Sequence, residues 1–563
     1  MKRKTSLFIF LATMQCFFSI VAAQTTQWAG SYGGNGEDVA VSIYTDAAGN
    51  TYTTGYFSNF CDFDITDGTS VIEHGNDFEI FVAKYNHIGE LQWAKNIGGP
   101  NGENGTAITA DAAGNVYVTG VFQDEMDFDP GVGEFLMTPA GFLDTFILKL
   151  DANGNFVWAK SIAGVDYEQA NGIGTDGAGN VYLAGFFFAT ADFDPGVAEF
   201  NMTPIGFHDC FALKLNSSGE FVWAKQWGST NFDFVTGLKV TEAGNMHVIG
   251  TFSGDMDVNP DPAGEFILSL PTNYDGCFLV QLDTNGTFVE GVKVGHSNFR
   301  IFGFGLDIDN QGARLLSGYY GGIAKFLMAD GSTTSITASD FFNSYVVKIL
   351  ANGQIAWVKG IDATAGSEAF GLVTNSQNEV FIGGFFDGTL NSGTLSLIQQ
   401  NTQNAQESYM LKLDSNGNTM AAYQFGGADF IDGFPIGIDQ NDNVYLSTAF
   451  QHTVDINPMP NAVFEITSVN HRDNFLIKMD NTVLSNPVFE HHAFTIYPNP
   501  VQEWVTINAD TTFVGTAYTI TDMTGRIVLS GKLDHNQTIH LAAVPAGSYI
   551  ITLGQHSKKL IKI

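Results

Sequence analysis

The sequence is poor in cysteine, in basic residues and in long apolar runs. It has 4 Cys among 563 residues, and 24 Lys+Arg against 59 Asp+Glu give a formal net charge of −35. A charge this negative repels phosphate backbones, which excludes a nucleic-acid binder and disfavours binding to anionic membrane surfaces. Beyond residue 23, no segment is long and apolar enough to span a membrane.

Sequence motifs of common enzymes are also absent. The chain has no GxSxG elbow, no HExxH helix and no P-loop, and its 12 His are scattered. No pair of acids stands out as suited to glycoside cleavage. We therefore assign no catalytic residue and expect a protein that is not an enzyme. Cys61, Cys210 and Cys277 form an odd set, which excludes a closed disulfide framework and predicts buried thiols.

Glycine and phenylalanine are abundant, with 63 and 48 residues, and they recur in a long repeat. Trp28, Trp93, Trp158 and Trp223 lie 65 residues apart. The alignment continues through Glu290, Trp357 and Ala421, which gives seven units that start near these seven positions.

Each unit predicts a four-stranded antiparallel meander. In the second unit, the turn at 111–115 precedes the strand VYVTGVF at 116–122, and the turn at 151–154 separates TFILKL from FVWAKSI. Units of this kind close into propellers, so we predict an all-β fold with a seven-bladed β-propeller at 24–483. Trp28 begins a segment like a fourth strand and Asn474 a segment like a third, so the N-terminal strand is expected to complete the last blade.

The segments WAKxxGG, DxxGNVYVTG and DxFILKLDxNG resemble the bacterial β-propeller repeats of the SBBP family. The resemblance covers residues 28–482. It implies a propeller scaffold and an exported location, and it implies no particular reaction.

The two ends of the chain have different patterns. Lys2, Arg3 and Lys4 precede a largely apolar segment at 7–21, and small residues precede Gln24, which predicts a signal peptide at 1–23. Residues 484–493 form a predicted linker. Alternating segments at 494–563 then predict a small β-sandwich.

This last module resembles the C-terminal sorting domain of the type IX secretion system of Bacteroidetes. The residues that carry the resemblance include Tyr497, Pro498, Asn499, Pro500, Gly525, Gly547 and Tyr549. The resemblance implies that the type IX machinery is a partner of this chain. It also implies that the chain is exported to the outer cell surface or secreted.

An Asp-x-Asp motif recurs after the second strand of several units. Its acids are Asp62, Asp64, Asp127, Asp129, Asp192, Asp194, Asp257 and Asp455. Alternate carboxylates on a loop suit Ca²⁺, the one cofactor that the sequence indicates. The alternative is that each Asp caps its turn by accepting hydrogen bonds from nearby backbone N–H groups. The motif is lost in units five and six.

Aromatic residues and insertions supply the remaining candidates for a binding site. The repeated Trp residues are expected to pack between blades, whereas Trp227 departs from the repeat and is a candidate surface residue. Insertions at 298–300 and 333–342 break the regular pattern, as binding loops often do. Together these features indicate an exported scaffold that binds a glycan or a protein. The alternatives are a polysaccharide-acting enzyme and a structural surface component with calcium-stabilised loops.

Overall fold

The computed structural model describes residues 28–66, 68–73, 78–99, 103–400, 406–426, 431–432, 435–457, 464–480, 494–497, 501–509, 515–522, 526–534, 538–553 and 556–562. The predicted signal peptide and linker lie outside this described part. Among the described residues the fold contains β-strands and no helix. It follows that no described helix has the length and hydropathy needed to cross a membrane.

Seven antiparallel sheets, each with a four-strand core, make up the repeat region. Sheet 1 contains β2 (Asp38–Thr45), β3 (Thr51–Phe57), β6 (Glu79–Tyr85) and β7 (Leu91–Ile97); sheet 2 contains β8 (Asn104–Ala110), β9 (Val116–Phe122), β12 (Asp144–Leu150) and β13 (Phe156–Gly164); sheet 3 contains β14 (Glu168–Thr175), β15 (Val181–Phe187), β18 (Asp209–Leu215) and β19 (Phe221–Trp227); sheet 4 contains β20 (Asp233–Val240), β21 (Met246–Ser253), β24 (Asp275–Leu282) and β25 (Phe288–Ser297). Sheet 5 contains β26 (Arg300–Ile308), β27 (Arg314–Gly321), β30 (Asn343–Ile349) and β31 (Ile355–Ala363); sheet 6 contains β32 (Ser367–Thr374), β33 (Val380–Phe386), β36 (Glu407–Leu413) and β37 (Thr419–Phe425); sheet 7 contains β38 (Ile431–Asp432), β39 (Ile436–Ile438), β40 (Val444–Phe450), β43 (Asp473–Met479) and β1 (Trp28–Gly34).

The innermost strands contact one another in a closed cycle. β2 contacts β8, and the contacts continue through β14, β20, β26 and β32 to β39, which contacts β2 again. The N-terminal strand β1 pairs with β43, with Trp28 opposite Lys478. The predicted all-β, propeller-like fold is therefore confirmed. We propose that the seven sheets are the seven blades of one ring within residues 24–483.

A small hairpin between the second and third strands of each sheet reaches the outer strand of the preceding sheet. The hairpins are β4 (Phe60–Asp62) with β5 (Val71–Glu73), β10 (Met126–Asp127) with β11 (Leu136–Met137), β16 (Ala191–Asp192) with β17 (Asn201–Met202), β22 (Met256–Asp257) with β23 (Ile267–Leu268), β28 (Ile323–Leu327) with β29 (Thr333–Thr337), β34 (Thr389–Ser392) with β35 (Leu395–Ile398), and β41 (Thr453–Asp455) with β42 (Glu465–Thr467). For example, β4 pairs with β1, β16 with β13, and Asp127 bridges to Gly98 just after β7. Each hairpin thus links two neighbouring sheets and covers an edge that would otherwise be open.

A glycine at one position of the second strand is required by the bulge of the innermost strand. Each bulge lies at the same place, as between Ala40 and Ser42 or between Ala170 and Gly172. A Cβ atom on Gly55 would overlap the backbone oxygen of Val39, and one on Gly185 would overlap that of Gln169. The predicted close backbone approach at this glycine is therefore present.

The C-terminal module has two sheets that share one core. Its strands are β44 (Phe494–Tyr497), β45 (Trp504–Ala509), β46 (Ala517–Asp522), β47 (Ile527–Lys532), β48 (Thr538–His540), β49 (Gly547–Leu553) and β50 (His556–Lys562). One sheet has the order β44-β45-β48 and the other β47-β46-β49-β50. Ile507 of the first sheet and Ile551 of the second belong to the same buried cluster. The module therefore has two sheets around one core, as a β-sandwich requires.

Candidate ligand site at the mouth of the central channel

The innermost strands of all seven sheets line one cavity of about 1510 Å³. Its lining extends from the first part of these strands, at Val39 and Asn104, past the bulge at Phe304, to the turns that follow the strands, at Asp46 and Asp111. We call the end at the strand starts the mouth of the channel. A concave site that many elements line is the usual place for a ligand.

Polar side chains of the channel wall link neighbouring innermost strands. The Thr106 hydroxyl donates to the backbone oxygen of Ala170 (2.7 Å), and the Asn171 amide donates to that of Val235 (2.8 Å). At the next junction, the Thr236 hydroxyl donates to the backbone oxygen of Gly303. These bonds use side-chain donors that would otherwise face the cavity, and they stabilise the inner rim.

The end of the channel opposite the mouth contains an ion pair. Lys239 Nζ lies 2.7 Å from Asp307 Oδ1, and Asp307 Oδ2 also accepts a hydrogen bond from the backbone N–H of Thr374 (2.8 Å). The Asp307 carboxylate raises the pKa of Lys239 above its usual value. This lysine is therefore already paired with a protein carboxylate.

Aromatic side chains concentrate at the mouth in sheets 5 and 6. The group, which we call the aromatic cup, consists of Phe302, Phe304, Tyr319, Phe342, Phe370 and Phe385. The ring centroids of Tyr319 and Phe342 are 5.1 Å apart, and those of Phe304 and Phe370 are also 5.1 Å apart. All six residues are half-buried, so part of their surface remains open to solvent. Phe304 and Phe370 line the channel.

The insertions predicted to form binding loops contribute to this region. Phe342 ends the 333–342 insertion, and Phe299 of the other insertion lies 5.9 Å from it, centroid to centroid. Phe299 and Phe341 are 48% and 69% exposed, which is unusual for such large apolar side chains. The departures from the repeat thus lie beside the cup.

A second aromatic group lies between sheets 3 and 4. Phe207 and Phe232 stack at 4.8 Å with an interplanar angle of 10°, and they are 64% and 50% exposed. Phe232 also contacts the buried His208 ring at 5.1 Å. Phe207 and Phe341 both lie in the connection just before a third strand, so they project from the same side of the ring as the mouth.

Glu368 is an acid within the aromatic surroundings of the cup. It lies on β32 directly opposite Phe385. Burial, together with the Glu368 charge, raises the pKa of Tyr319 to about 12. Burial alone raises the pKa of Glu368 to about 7. No ion pair or side-chain hydrogen bond joins Glu368 to another described residue. The sequence pattern did not identify this residue, because its neighbours Tyr319 and Phe385 lie on other strands.

Other acids near the mouth are buried in pairs between neighbouring sheets. Asp473 and Asp38 repel each other at the junction of sheets 7 and 1, as do Asp144 and Glu168 at the junction of sheets 2 and 3. Burial and this repulsion raise the pKa of Asp38 and of Glu168 to about 8. Both Glu168 carboxyl oxygens are buried. These pairs are closed to solvent, so a ligand in the channel does not reach them.

The Asp-x-Asp motif lies in the short hairpins that link the sheets. Asp127 Oδ1 accepts hydrogen bonds from the backbone N–H groups of Asp129 (3.0 Å) and Phe135 (2.8 Å). The same two bonds recur at the other first acids, Asp62, Asp192, Asp257 and Asp455. The second acids Asp64, Asp129 and Asp194 cap the following turn in the same way. These are the bonds that the turn-capping interpretation predicts.

The loss of the motif in units five and six has a structural explanation. Hairpins with the motif have strands of two or three residues, whereas β28 and β29 have five residues each and β34 and β35 have four. Longer hairpins hold their shape through more ladder hydrogen bonds and need no carboxylate. Within the described part of the chain, no three His, Cys, Asp or Glu side chains form a group suited to a metal ion.

The repeated Trp residues pack between sheets, as the sequence predicted. The Trp93 indole N–H donates to the backbone oxygen of Ala152 in the next sheet (3.1 Å), and Trp28 donates to His87 in the same way (3.1 Å). The prediction for Trp227 was wrong, because this side chain is 2% exposed and packs in a core cluster around Cys210. Cys61, Cys210 and Cys277 are buried free thiols.

The residues of the predicted sorting signal fall in two classes. Pro498, Asn499, Pro500 and Gly525 lie outside the described residues, and Tyr497 ends β44. Gly547 begins β49, and Tyr549 on the same strand is buried, with its hydroxyl donating to the backbone oxygen of Pro545 (2.8 Å). Tyr549 therefore stabilises the turn before its own strand.

Comparison with known proteins identifies the C-terminal module. Residues 495–563 match the family described as the secretion system C-terminal sorting domain. The predicted sorting module is thus confirmed, and with it export through the type IX system to the cell surface or the medium. The same match makes the secretion machinery a partner of the chain.

The chain also has distant relatives. Over 208 residues the chain is 24% identical to the uncharacterized WD repeat-containing protein L264 of Acanthamoeba polyphaga mimivirus, covering 32% of this chain and 15% of that protein. The chain thus spans a small part of this relative's length. Three solved structures are similar at low identity. They are a protein of unknown function from Bacteroides caccae (11% identity, 61% of this chain and 89% of the other, TM-score 0.29), a PL25 ulvan lyase (12%, 76% and 93%, 0.35) and a subtype N10 neuraminidase-like protein of A/little yellow-shouldered bat/Guatemala/060/2010 (9%, 80% and 98%, 0.33).

Proposed function

We propose that this chain is an exported β-propeller with SBBP-type repeats that binds a glycan or a protein at the mouth of its channel. The single observation that carries the proposal is the concentration of exposed aromatic side chains at the mouth, where the units depart from the repeat. Stacking on a sugar ring or on an apolar protein side chain uses the same open aromatic faces. Leaving a cluster of apolar rings exposed to water costs free energy, and exposed apolar patches commonly mark interaction sites, which favours a binding role.

A polysaccharide-acting enzyme is the alternative. Glycoside hydrolysis commonly needs two carboxyl groups about 5 to 10 Å apart on either side of the scissile bond. Beside the cup, Glu368 is a half-buried acid with a raised pKa, whereas the acids paired at the sheet junctions are buried. A structural surface component with calcium-stabilised loops is a third candidate, because the Asp-x-Asp hairpins carry alternate carboxylates.

The experiment is a binding screen with the full exported chain on a glycan array and against solubilised surface proteins. The variant Phe304→Leu/Phe370→Leu keeps apolar volume but removes two rings from the channel lining. The control Phe135→Leu removes a 38% exposed ring from a hairpin, where it contacts Phe156 at 4.9 Å. We expect the double variant to lose binding about tenfold or more and the control to bind as the parent does.

Two results would contradict the proposal. Equal binding by the parent and the double variant would show that the ligand does not bind at the mouth. Release of reducing ends from an array-selected polysaccharide, abolished by one Asp or Glu substitution, would establish the enzyme instead.

A further inference from the structure

We propose that the aromatic cup binds a cationic ammonium group of the ligand, with Glu368 as its counter-ion. This inference rests on the proposed function, because it names the ligand chemistry of the same site. Ammonium groups bind to the faces of aromatic rings through the negative potential above each ring, and cages of several rings are the usual sites for quaternary ammonium groups.

The geometry of the cup supplies several ring faces close together. The Phe302, Phe304 and Tyr319 rings form a triangle with centroids 5.1, 5.6 and 6.1 Å apart, and Phe370 lies 5.4 Å from Phe385, the residue opposite Glu368. All of these side chains are half-buried, so the rings are fixed by packing but keep part of their surface open. A rigid, partly dehydrated cup increases the strength of cation–π contacts.

Glu368 forms no salt bridge with a described basic residue. The described neighbours that interact with it electrostatically are Tyr319 and Tyr409, which are both neutral at physiological pH. Arg300 also acts on Tyr319, but it lies 3.7 Å from Asp275, the carboxylate with which it pairs. A half-buried carboxylate that forms no salt bridge with a described Lys or Arg attracts a cation from the ligand.

Lysines of this chain use aromatic faces elsewhere and leave the cup open. Lys84, Lys149 and Lys214 each lie about 5 Å from the centre of a tyrosine ring of the same sheet. Among the described residues, no lysine or arginine lies over a ring of the cup. The net charge of −35 also raises the local concentration of cationic ligands.

The test measures binding of choline to the full exported chain by calorimetry. Its matched control is 3,3-dimethyl-1-butanol, which has the same shape with carbon in place of the charged nitrogen. We expect choline to bind at least about tenfold more tightly than the neutral alcohol, because only choline gains the counter-ion and the cation–π contacts. Equal affinity for the two compounds, or no measurable binding of choline, would overturn the inference.

The variant Glu368→Gln and a pH series identify the counter-ion. With a pKa of about 7, Glu368 is roughly one-tenth ionised at pH 6 and nine-tenths ionised at pH 8, so choline affinity is expected to rise about tenfold over this range. Choline keeps its charge throughout. In Glu368→Gln the affinity is expected to fall and to lose this pH dependence, whereas Glu199→Gln, at an exposed surface acid, retains both. A pH dependence that persists in Glu368→Gln would assign the effect to another group and overturn the inference.

The two proposals fail separately. Loss of array binding in Phe304→Leu/Phe370→Leu, together with equal affinity for choline and the alcohol, would leave the proposed function intact and overturn the ammonium inference. Array binding unaffected by the double variant would overturn the proposed function itself.

Discussion

At the scale of single residues, carboxyl groups play three different roles in this chain. Those of the Asp-x-Asp hairpins accept backbone N–H bonds, those at the sheet junctions are buried in pairs, and Glu368 faces the cup. The sequence identifies the acids of the first role, since alternate acids in a repeated loop are visible without coordinates. It does not distinguish the acids of the other two roles, because their burial and neighbouring charges arise only when distant strands pack together.

Substitution of Asp127 distinguishes turn capping from calcium binding. Asp127→Asn keeps the oxygen that accepts both backbone N–H bonds, so it is expected to change the free energy of unfolding by less than about 0.5 kcal/mol. Asp127→Ala loses both bonds and is expected to cost about 1–2 kcal/mol. Thermal melting with and without a chelator completes the test. Equal cost of both variants, with a chelator-sensitive midpoint, would support calcium ligation.

The buried acid pairs predict that the protein becomes more stable as the pH falls from about 8 towards 5. Folding raises the pKa of Glu168 to about 8, whereas in an unfolded chain it is about 4.3. Between these values the folded protein holds a proton that the unfolded chain has released, so raising the pH lowers the free energy of unfolding. Asp38 and Asp233, with pKa values raised to about 8 and 7, act in the same direction.

Glu168→Gln isolates this contribution. The amide carries no charge into the buried site, so the variant is expected to melt roughly 2 °C above the parent at pH 8 and to differ little at pH 5. Scanning calorimetry at the two pH values gives the comparison. A lower midpoint for the variant at pH 8 would show that the charged carboxylate stabilises the junction instead.

At the scale of elements, β1 and the hairpins connect the sheets. The sequence predicted that β1 completes the last sheet, because a fourth-strand pattern begins the repeats and a third-strand pattern ends them. It did not predict that each hairpin pairs with the preceding sheet. Strands of two to five residues are too short to show a recognisable alternation of apolar and polar residues, and their partner strands lie in the neighbouring unit.

Gly34 provides a test of the contact between β1 and its hairpin. A Cβ atom there would overlap the backbone oxygen of Phe60, which cannot move without breaking the pairing of β1 with β4. Gly34→Ala is therefore expected to lower the free energy of unfolding by about 2 kcal/mol or more. The control Gly360→Ala places its Cβ 3.6 Å from the nearest atom and is expected to be neutral. Equal denaturation midpoints for the two variants would contradict the proposed linkage.

At the scale of the whole molecule, the described sheets repeat one pattern that is interrupted beside the cup, and the ligand site is proposed there. The regular parts could be predicted because seven copies of one pattern reinforce each other. The insertions at 298–300 and 333–342 could also be located, since they interrupt that pattern. Residues 333–337 of the second form β29, and Phe299 of the first contacts Phe342, the cup residue that ends the second. Glu368 could not be located, because the sequence around it follows the ordinary strand pattern and only its three-dimensional surroundings set it apart.

The most direct measurement of the central claim is a crystal structure of the exported chain with its array-selected ligand bound. We expect ligand density at the channel mouth, in contact with Phe304 and Phe370 and within reach of the Glu368 carboxylate. Ligand density on a linking hairpin or on the C-terminal module, with the mouth empty, would contradict it.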